Sequence, residues 1–382
     1  MEMLQMYIPA EIHFGSGVYP QVGACAARLG GRVLVVSDKA VSAAGITSRV
    51  QQEMEEAGLN CLSYEEIPAE HPNGSIQEAV QLARAGKVQM IVAVGGMRVS
   101  AAARIISLAA ANGLSVEDLL QSNESFTAAL PCIDVPTAFR NPMLFANATI
   151  VSDDVSGVPR IIPMPPGFLR AVVMDPELTE GFSGRRSAAL LLDSLLSGIE
   201  GYISNGAGFI ARPLIRDGVS YCSDSILGIY NTPEDPALRY KACEGGLLMA
   251  LGMAFGNQGI GGGLAYVLNS MYGVPKSWVA AVLAPHVAEH WVPIVPQKLA
   301  ELASSMGADV TNLSDTEAAR QVPQVLRRFI GQVDAPGRLR DLDLTLPQIL
   351  DAVEVVMEMD MLRAVPRALR EADVVAMVKR AF

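Results

Sequence analysis

The chain has 382 residues, half of them apolar and 18% charged, a composition that excludes disorder and, at roughly 150 residues per domain, suggests two to three domains. Its 40 acidic and 29 basic residues leave a net charge of −11, without the clustered Lys and Arg that nucleic-acid phosphates demand. The longest apolar runs, such as 245–256, fall short of the roughly 18–20 residues of a membrane span, so no membrane association is expected. The opening MEMLQMYIPA has neither the basic nor the apolar region of a secretory signal. Five cysteines, Cys25, Cys61, Cys132, Cys222 and Cys243, are odd in number and never form a CxxC pair. They read as reduced thiols of a cytoplasmic protein.

In chain order, residues 32–37 (RVLVVS) form a continuous apolar run, as a strand buried on both faces should. A helix is predicted over 46–57, where Val50, Met54 and Ala57 recur at helical steps. A short strand at 60–64 and a helix at 75–85 follow. A third buried strand, 88–94 (VQMIVAV), runs into Gly95-Gly96 and a helix over 101–110. Such alternation implies parallel strands joined by right-handed crossovers, a doubly wound sheet. Beyond about Thr179, segments 187–202, 240–255, 277–291, 298–306, 318–333 and 346–361 carry helical apolar spacing, with no convincing strands between them. The expectation is an α/β domain over 1–180 and an all-helical domain over 181–382. The Pro- and Gly-containing stretch 158–168 reads as an excursion within the first.

Several motifs recur in a fixed order: FGSG at 14–17, VLVVSD at 33–38, a strand–Gly–Gly–helix at 94–104, and DPELT at 175–179. LLDSLLSGIEGYIS follows at 191–204, GMAFGNQGIGGGLAYVL at 252–268, GVPKSWVAAVLAPHV at 273–287 and VPRAL at 365–369. Together they resemble the iron-containing (group III) alcohol dehydrogenase family, which takes in glycerol dehydrogenases and, more distantly, dehydroquinate synthases. The resemblance spans nearly the whole chain. It implies a Rossmann-like α/β domain followed by an all-α domain, and NAD(P)-linked, metal-assisted oxidoreduction of a small alcohol or aldehyde in an interdomain cleft. It also suggests a homodimer.

The family holds one divalent ion, iron or zinc, on an Asp, a His four residues later, and two further His about fourteen residues apart. The ion acts as a Lewis acid on the substrate oxygen. At the matching positions this chain has Asp193, Ser197, Gly262 and Lys276, so one ligand of the four survives and no metal is expected. Tyr266 stands at the family's pocket histidine. The Lys276 ammonium would repel a divalent cation, or replace it as a positive charge paired with Asp193. Elsewhere His286 and His290 form an HxxxH pair, a spacing that can chelate a metal, but a surface or packing pair is the plainer account. His13 precedes the FGSG turn, and His71 lies in a loop.

In the family a GGGS turn, followed by an Asp and a Lys, holds the NAD(P) pyrophosphate against a helix N-terminus. Here the stretch reads Gly95, Gly96, Met97 and Arg98, then Ser100 and Arg104. Of a second family stretch, PTTAGTGSE, only Pro136 and Thr137 remain. Phe139, Arg140 and Met143 replace small residues, so Met97, Phe139 and Met143 argue against NAD(P) binding in the family's manner. Asp38, ending the first strand, matches the carboxylate that accepts the adenosine ribose hydroxyl, and Asp after a strand is equally a helix cap. Arg98, Arg104 and Arg140 could clamp a small anionic ligand or pair with the protein's own carboxylates.

Three readings follow. The family activity persists in altered form, as in relatives resembling maleylacetate reductases that need no metal. Alternatively the scaffold has become a non-catalytic anion-binding or protein-interaction module. A third reading is a metal-free enzyme built on Asp193, Lys276 and Tyr266, since a desolvated Lys near a Tyr can act as acid or base.

Overall fold

The computed structural model describes residue 8 and residues 10–122 and 125–382. The opening stretch read above for a secretory signal lies outside them except for Ile8 and Ala10. The chain divides into two compact units. The first comprises residues up to Ala138, Met143–Ser156 and Arg160–Thr179; the second comprises Phe139–Pro142, Gly157–Pro159 and Glu180–Phe382.

Strands β1 (Glu11–Phe14), β2 (Arg32–Val36), β3 (Asn60–Tyr64), β4 (Met90–Gly95), β5 (Cys132–Pro136), β6 (Ala148–Ser152), β7 (Pro159–Pro163) and β8 (Leu169–Met174) contribute to the first unit. Six of them form one sheet in the order β1-β8-β5-β4-β2-β3, and every neighbouring pair is parallel. All residues of β4 and β5 are buried, which is why those segments show no polar alternation. The small pair β6–β7 stands apart. Helices α1 (Gln21–Ala27), α2 (Lys39–Ala43), α3 (Ile46–Glu56), α4 (Asn73–Ala85), α5 (Met97–Asn112) and α6 (Val116–Gln121) connect the strands. Val50 and Met54 of α3 are fully buried, as their spacing predicts. Helix α5 starts four residues earlier than its pattern suggests, directly after Gly96, and ends at Gly113, whose φ of 71° is left-handed. β2 lies between β3 and β4, so the winding direction reverses there. The carboxyl ends of β2 and β4 therefore flank a switch-point crevice, where open α/β sheets take their ligands.

The second unit is helical: α7 (Gly184–Ile203), α8 (Ala211–Asn231), α9 (Pro236–Met253), α10 (Ile260–Tyr272), α11 (Lys276–Trp291), α12 (Pro296–Ser305), α13 (Asp315–Ala319), α14 (Gln321–Gln332), α15 (Leu346–Met357) and α16 (Glu371–Ala381). The single helix expected over 318–333 is two, with Pro323 confined to the first turn of α14, where a missing N–H is tolerated. The helix expected to reach 361 stops at Met357, and a 3₁₀ turn, Asp360–Ala364, follows.

Helix α8 is not among the segments expected above, although Ile215, Val219, Cys222, Ile226 and Ile229 recur at helical steps and are fully buried; glycines bring it close to α9. A Cβ on Gly218 would lie 2.8 Å from the Gly245 carbonyl oxygen, and one on Gly245 3.1 Å from the Cys222 sulfur. A still closer approach admits the segment 139–142: a Cβ on Gly246 of α9 would fall 1.7 Å from the Phe139 carbonyl oxygen. Residues 157–159, the last two of which open the first-domain excursion expected over 158–168, also belong to the second unit, where Ser270 Oγ donates to the Gly157 carbonyl. Among the described residues no helix is long and apolar enough to cross a membrane.

Candidate active site

Within the second unit, helix α7 turns Asp193 inward and helix α11 begins with Lys276. Lys276 Nζ donates to both carboxylate oxygens of Asp193, at 2.9 and 3.2 Å. Arg140 Nε lies 2.8 Å from Asp193 Oδ2. The Asp193, Arg140 and Lys276 side chains are only 2%, 5% and 10% exposed, so their charges interact in a medium far less screening than water. Lys276 Nζ also sits 4.4 Å from the centre of the Tyr266 ring, and Arg140 reaches the Tyr266 hydroxyl. Burial lowers the pKa of the Lys276 ammonium, with help from the Arg140 charge and against the pull of Asp193.

The remaining family metal positions are occupied differently. Ser197 Oγ is buried, with no hydrogen-bond partner among the described residues. At Gly262 a side chain has no room, because a Cβ would come within 2.6 Å of Gln258 Oε1 and 3.0 Å of Glu200 Oε2. The Glu200 carboxylate accepts the backbone N–H groups of Gly259, Gly261 and Gly262 at 2.9, 2.7 and 3.0 Å, at the start of α10. Burial raises its pKa, although those three N–H groups pull the other way. As a donor set for a divalent ion these positions do not fit. They offer one carboxylate, already facing two cations, and none of the imidazoles such an ion favours.

The candidate cofactor residues lie in the first unit. Gly95 ends β4 where a Cβ would meet the Val99 side chain at 2.6 Å, whereas a Cβ on Gly96 would find only Ala138, at 3.9 Å. This is a tight turn with open space beside it, feeding the N-terminus of the 16-residue α5. Such a turn suits a phosphate. Thr137 is buried beside it, its N–H on the Gly95 carbonyl. Asp38 caps α2, its Oδ1 accepting from the Ala40 and Val41 N–H groups, while Arg98 Nη2 stands 3.1 Å from its Oδ2. Oδ1 thus serves as the helix cap, and Oδ2 faces the partly exposed Arg98.

The three arginines do not form one clamp. Arg98 pairs with Asp38, Arg104 with Asp134 and Arg140 with Asp193. Arg104, 2% exposed, also donates to the Met143, Leu144 and Ala148 carbonyls. His286 and His290 join no group of three metal-ligating side chains among the described residues. His286 lies 3.8 Å from Glu289, His290 packs edge-on to Trp291, and burial lowers both their pKa values. Glu200 and Gln258 were not singled out from sequence. Glu200 has a legible signal, as the one acid in the apolar stretch 191–204 after Asp193.

A parallel sheet with a glycine turn at its switch point, joined to a helical unit with an inward carboxylate, has the layout of a two-domain dehydrogenase. The sequence carries the assignment further. Residues 9–176 match the family model for iron-containing alcohol dehydrogenase, and residues 187–382 match the C-terminal model of the Fe-containing alcohol dehydrogenase family. The chain belongs to the iron-containing alcohol dehydrogenase family. It is 27% identical to Alcohol dehydrogenase 4 of Saccharomyces cerevisiae strain YJM789, over 98% of each chain. It is 22% identical to the NAD-dependent methanol dehydrogenase of Bacillus methanolicus, over the full length of both. The crystal structure of a 1,3-propanediol oxidoreductase matches its fold with a TM-score of 0.92 at 22% identity, covering both chains completely.

Proposed function

We propose that the protein interconverts a small alcohol and its aldehyde with NAD(P), using the Lys276 ammonium where its family uses a divalent ion. The observation that carries this reading is the seat of Lys276, bonded to both oxygens of Asp193 and lying over the Tyr266 ring. A fixed, desolvated ammonium can donate to an oxygen on which negative charge develops, as a preorganised oxyanion donor does. Asp193 orients it, and the Arg140 charge keeps Asp193 from being its partner alone. The lowered Lys276 pKa eases proton release, so the same group can give a proton to an alkoxide or take one from an alcohol. The Gly95-Gly96 turn and the first turn of α5 would receive the phosphates of the dinucleotide, which supplies the hydride when bound. A cytoplasmic homodimer goes with this reading, and none of the five cysteines is in a disulfide, as suits a reducing compartment.

The test is aldehyde reduction with NADH and NADPH in the presence of strong chelators. Turnover should survive chelation and vanish in Lys276→Met while that variant still binds cofactor. Turnover lost on chelation and restored by iron or zinc would overturn the reading. One observation favours a second reading, a non-catalytic site for a small anion: two buried cations face the single carboxylate of Asp193. In that case acetate or phosphate would raise the melting temperature without any dinucleotide, and no aldehyde would be turned over.

A further inference from the structure

The only group of three metal-ligating side chains among the described residues lies far along the chain from the family's ligand positions. Glu11 and His13, two residues apart on β1, project from the same face of the strand, and α1 sets Cys25 against them. One oxygen, one ring nitrogen and one sulfur lie within 4.8 Å of one another. His13 Nε2 is 3.0 Å from Glu11 Oε1 and 3.4 Å from Cys25 Sγ. Zinc-type bonds of roughly 2.0–2.3 Å at a tetrahedral angle place ligand atoms roughly 3.3–3.7 Å apart, so the two contacts of His13 already stand close to that spacing, with the third separation within 4.8 Å.

Both contacts converge on the same ring nitrogen, which carries a single proton or a single lone pair. It cannot serve the carboxylate and the sulfur equally well. A cation at the centre satisfies all three donors at once. Positive charge is already drawn there: Arg28 Nη2 bonds Glu11 Oε2 and lies 3.6 Å from Cys25 Sγ. The Arg28 side chain is 59% exposed, so an ion entering the cluster would displace it into water.

The geometry points to a divalent d-block ion site, of zinc or cobalt type, formed by Glu11, His13 and Cys25 and completed by water. Thiolate and imidazole donors select such an ion over magnesium or calcium. Cys25 is buried, whereas Glu11 and His13 keep side-chain exposures of 45% and 24%, which leaves an approach for the ion and a place for the water. Because β1 is an edge strand held by β8 alone, the ion would pin that edge to α1.

Cobalt(II) titration of the full chain tests the site. Wild type should bind one ion with a near-ultraviolet thiolate-to-cobalt band and a rise in melting temperature. Cys25→Ser should lose the band, whereas Cys61→Ser, which alters a thiol outside the cluster, should keep it. His13→Ala should weaken binding by about tenfold or more, and Arg28→Ala, which removes the competing cation, should tighten it. Absence of the band in wild type, or its persistence in Cys25→Ser, would overturn the site. Neither result bears on chelator-resistant turnover, since these residues take no part in it.

Discussion

Two aspartate–arginine pairs in this molecule look alike on paper and differ in kind. In the first unit Asp38 holds Arg98 at the end of β2, with the arginine 44% exposed and the aspartate 13%. In the second unit Asp193 holds Arg140 and Lys276, all at 10% exposure or less. Water screens the first pair, and exposed pairs of this sort contribute about 0–1 kcal/mol. The second is a buried network of two cations on one carboxylate, so loss of that carboxylate leaves desolvated cations behind. The Asp38 pair can be exchanged for a ligand contact at little cost. The Asp193 group is part of the architecture.

The sharpest break in this comparison is Asp193→Ala. It strands two buried cations and should lower the unfolding free energy by about 3–5 kcal/mol, read by urea denaturation. A loss below 1 kcal/mol would mean that the cluster is solvated like the surface pair. Next comes Gly246→Ala, whose added methyl collides with the Phe139 carbonyl oxygen and displaces the segment carrying Arg140. A loss of about 3 kcal/mol is expected, together with reduced activity.

Glu200 supplies a test by pH. The folded chain binds its proton more tightly than the unfolded chain does. The stability this group contributes is therefore complete below pH 4.5, its ordinary value, and is lost as pH rises through the higher folded-state pKa. Urea midpoints of wild type minus Glu200→Gln should accordingly fall as pH rises from 4.5. A difference that stays flat would mean that the three glycine N–H groups offset burial, and one that rises would mean that they outweigh it.

Lys276→Met should change stability by no more than about 1 kcal/mol, since Asp193 keeps Arg140 and a desolvated ammonium is removed, yet it should end turnover. Arg98→Ala is the mildest change. Stability should move by less than about 0.5 kcal/mol, and calorimetry should show weaker NADPH binding with NADH little affected, because an arginine beside the ribose position favours a 2′-phosphate.

The buried strands β2 and β4 were legible in the sequence because residues such as Val33–Val36 and Met90–Val94 leave no polar face to confuse the period. The vestigial position of Lys276 opposite Asp193 was legible too, since only a residue-by-residue match to the family motif was needed. Arg140 was not assignable in this way. It lies 53 positions before Asp193, and nothing in its neighbours distinguishes a guanidinium aimed into the helical unit from one waiting for a ligand. Arg104 illustrates the same limit, because its partners are backbone carbonyls that no side-chain pattern announces. Helix α8, by contrast, carries an apolar stripe of Ile215, Val219, Cys222, Ile226 and Ile229, all fully buried, so it was legible by its helical period.

The segment Phe139–Pro142 belongs to the helical unit although it is flanked by residues of the sheet unit. A gene fragment ending near residue 180 therefore carries a guanidinium whose aspartate it lacks, and the complementary fragment begins with an acid deprived of that counterion. Cutting there parts Asp193 from one of its two cations, so that carboxylate is fully matched only in the uncut polypeptide.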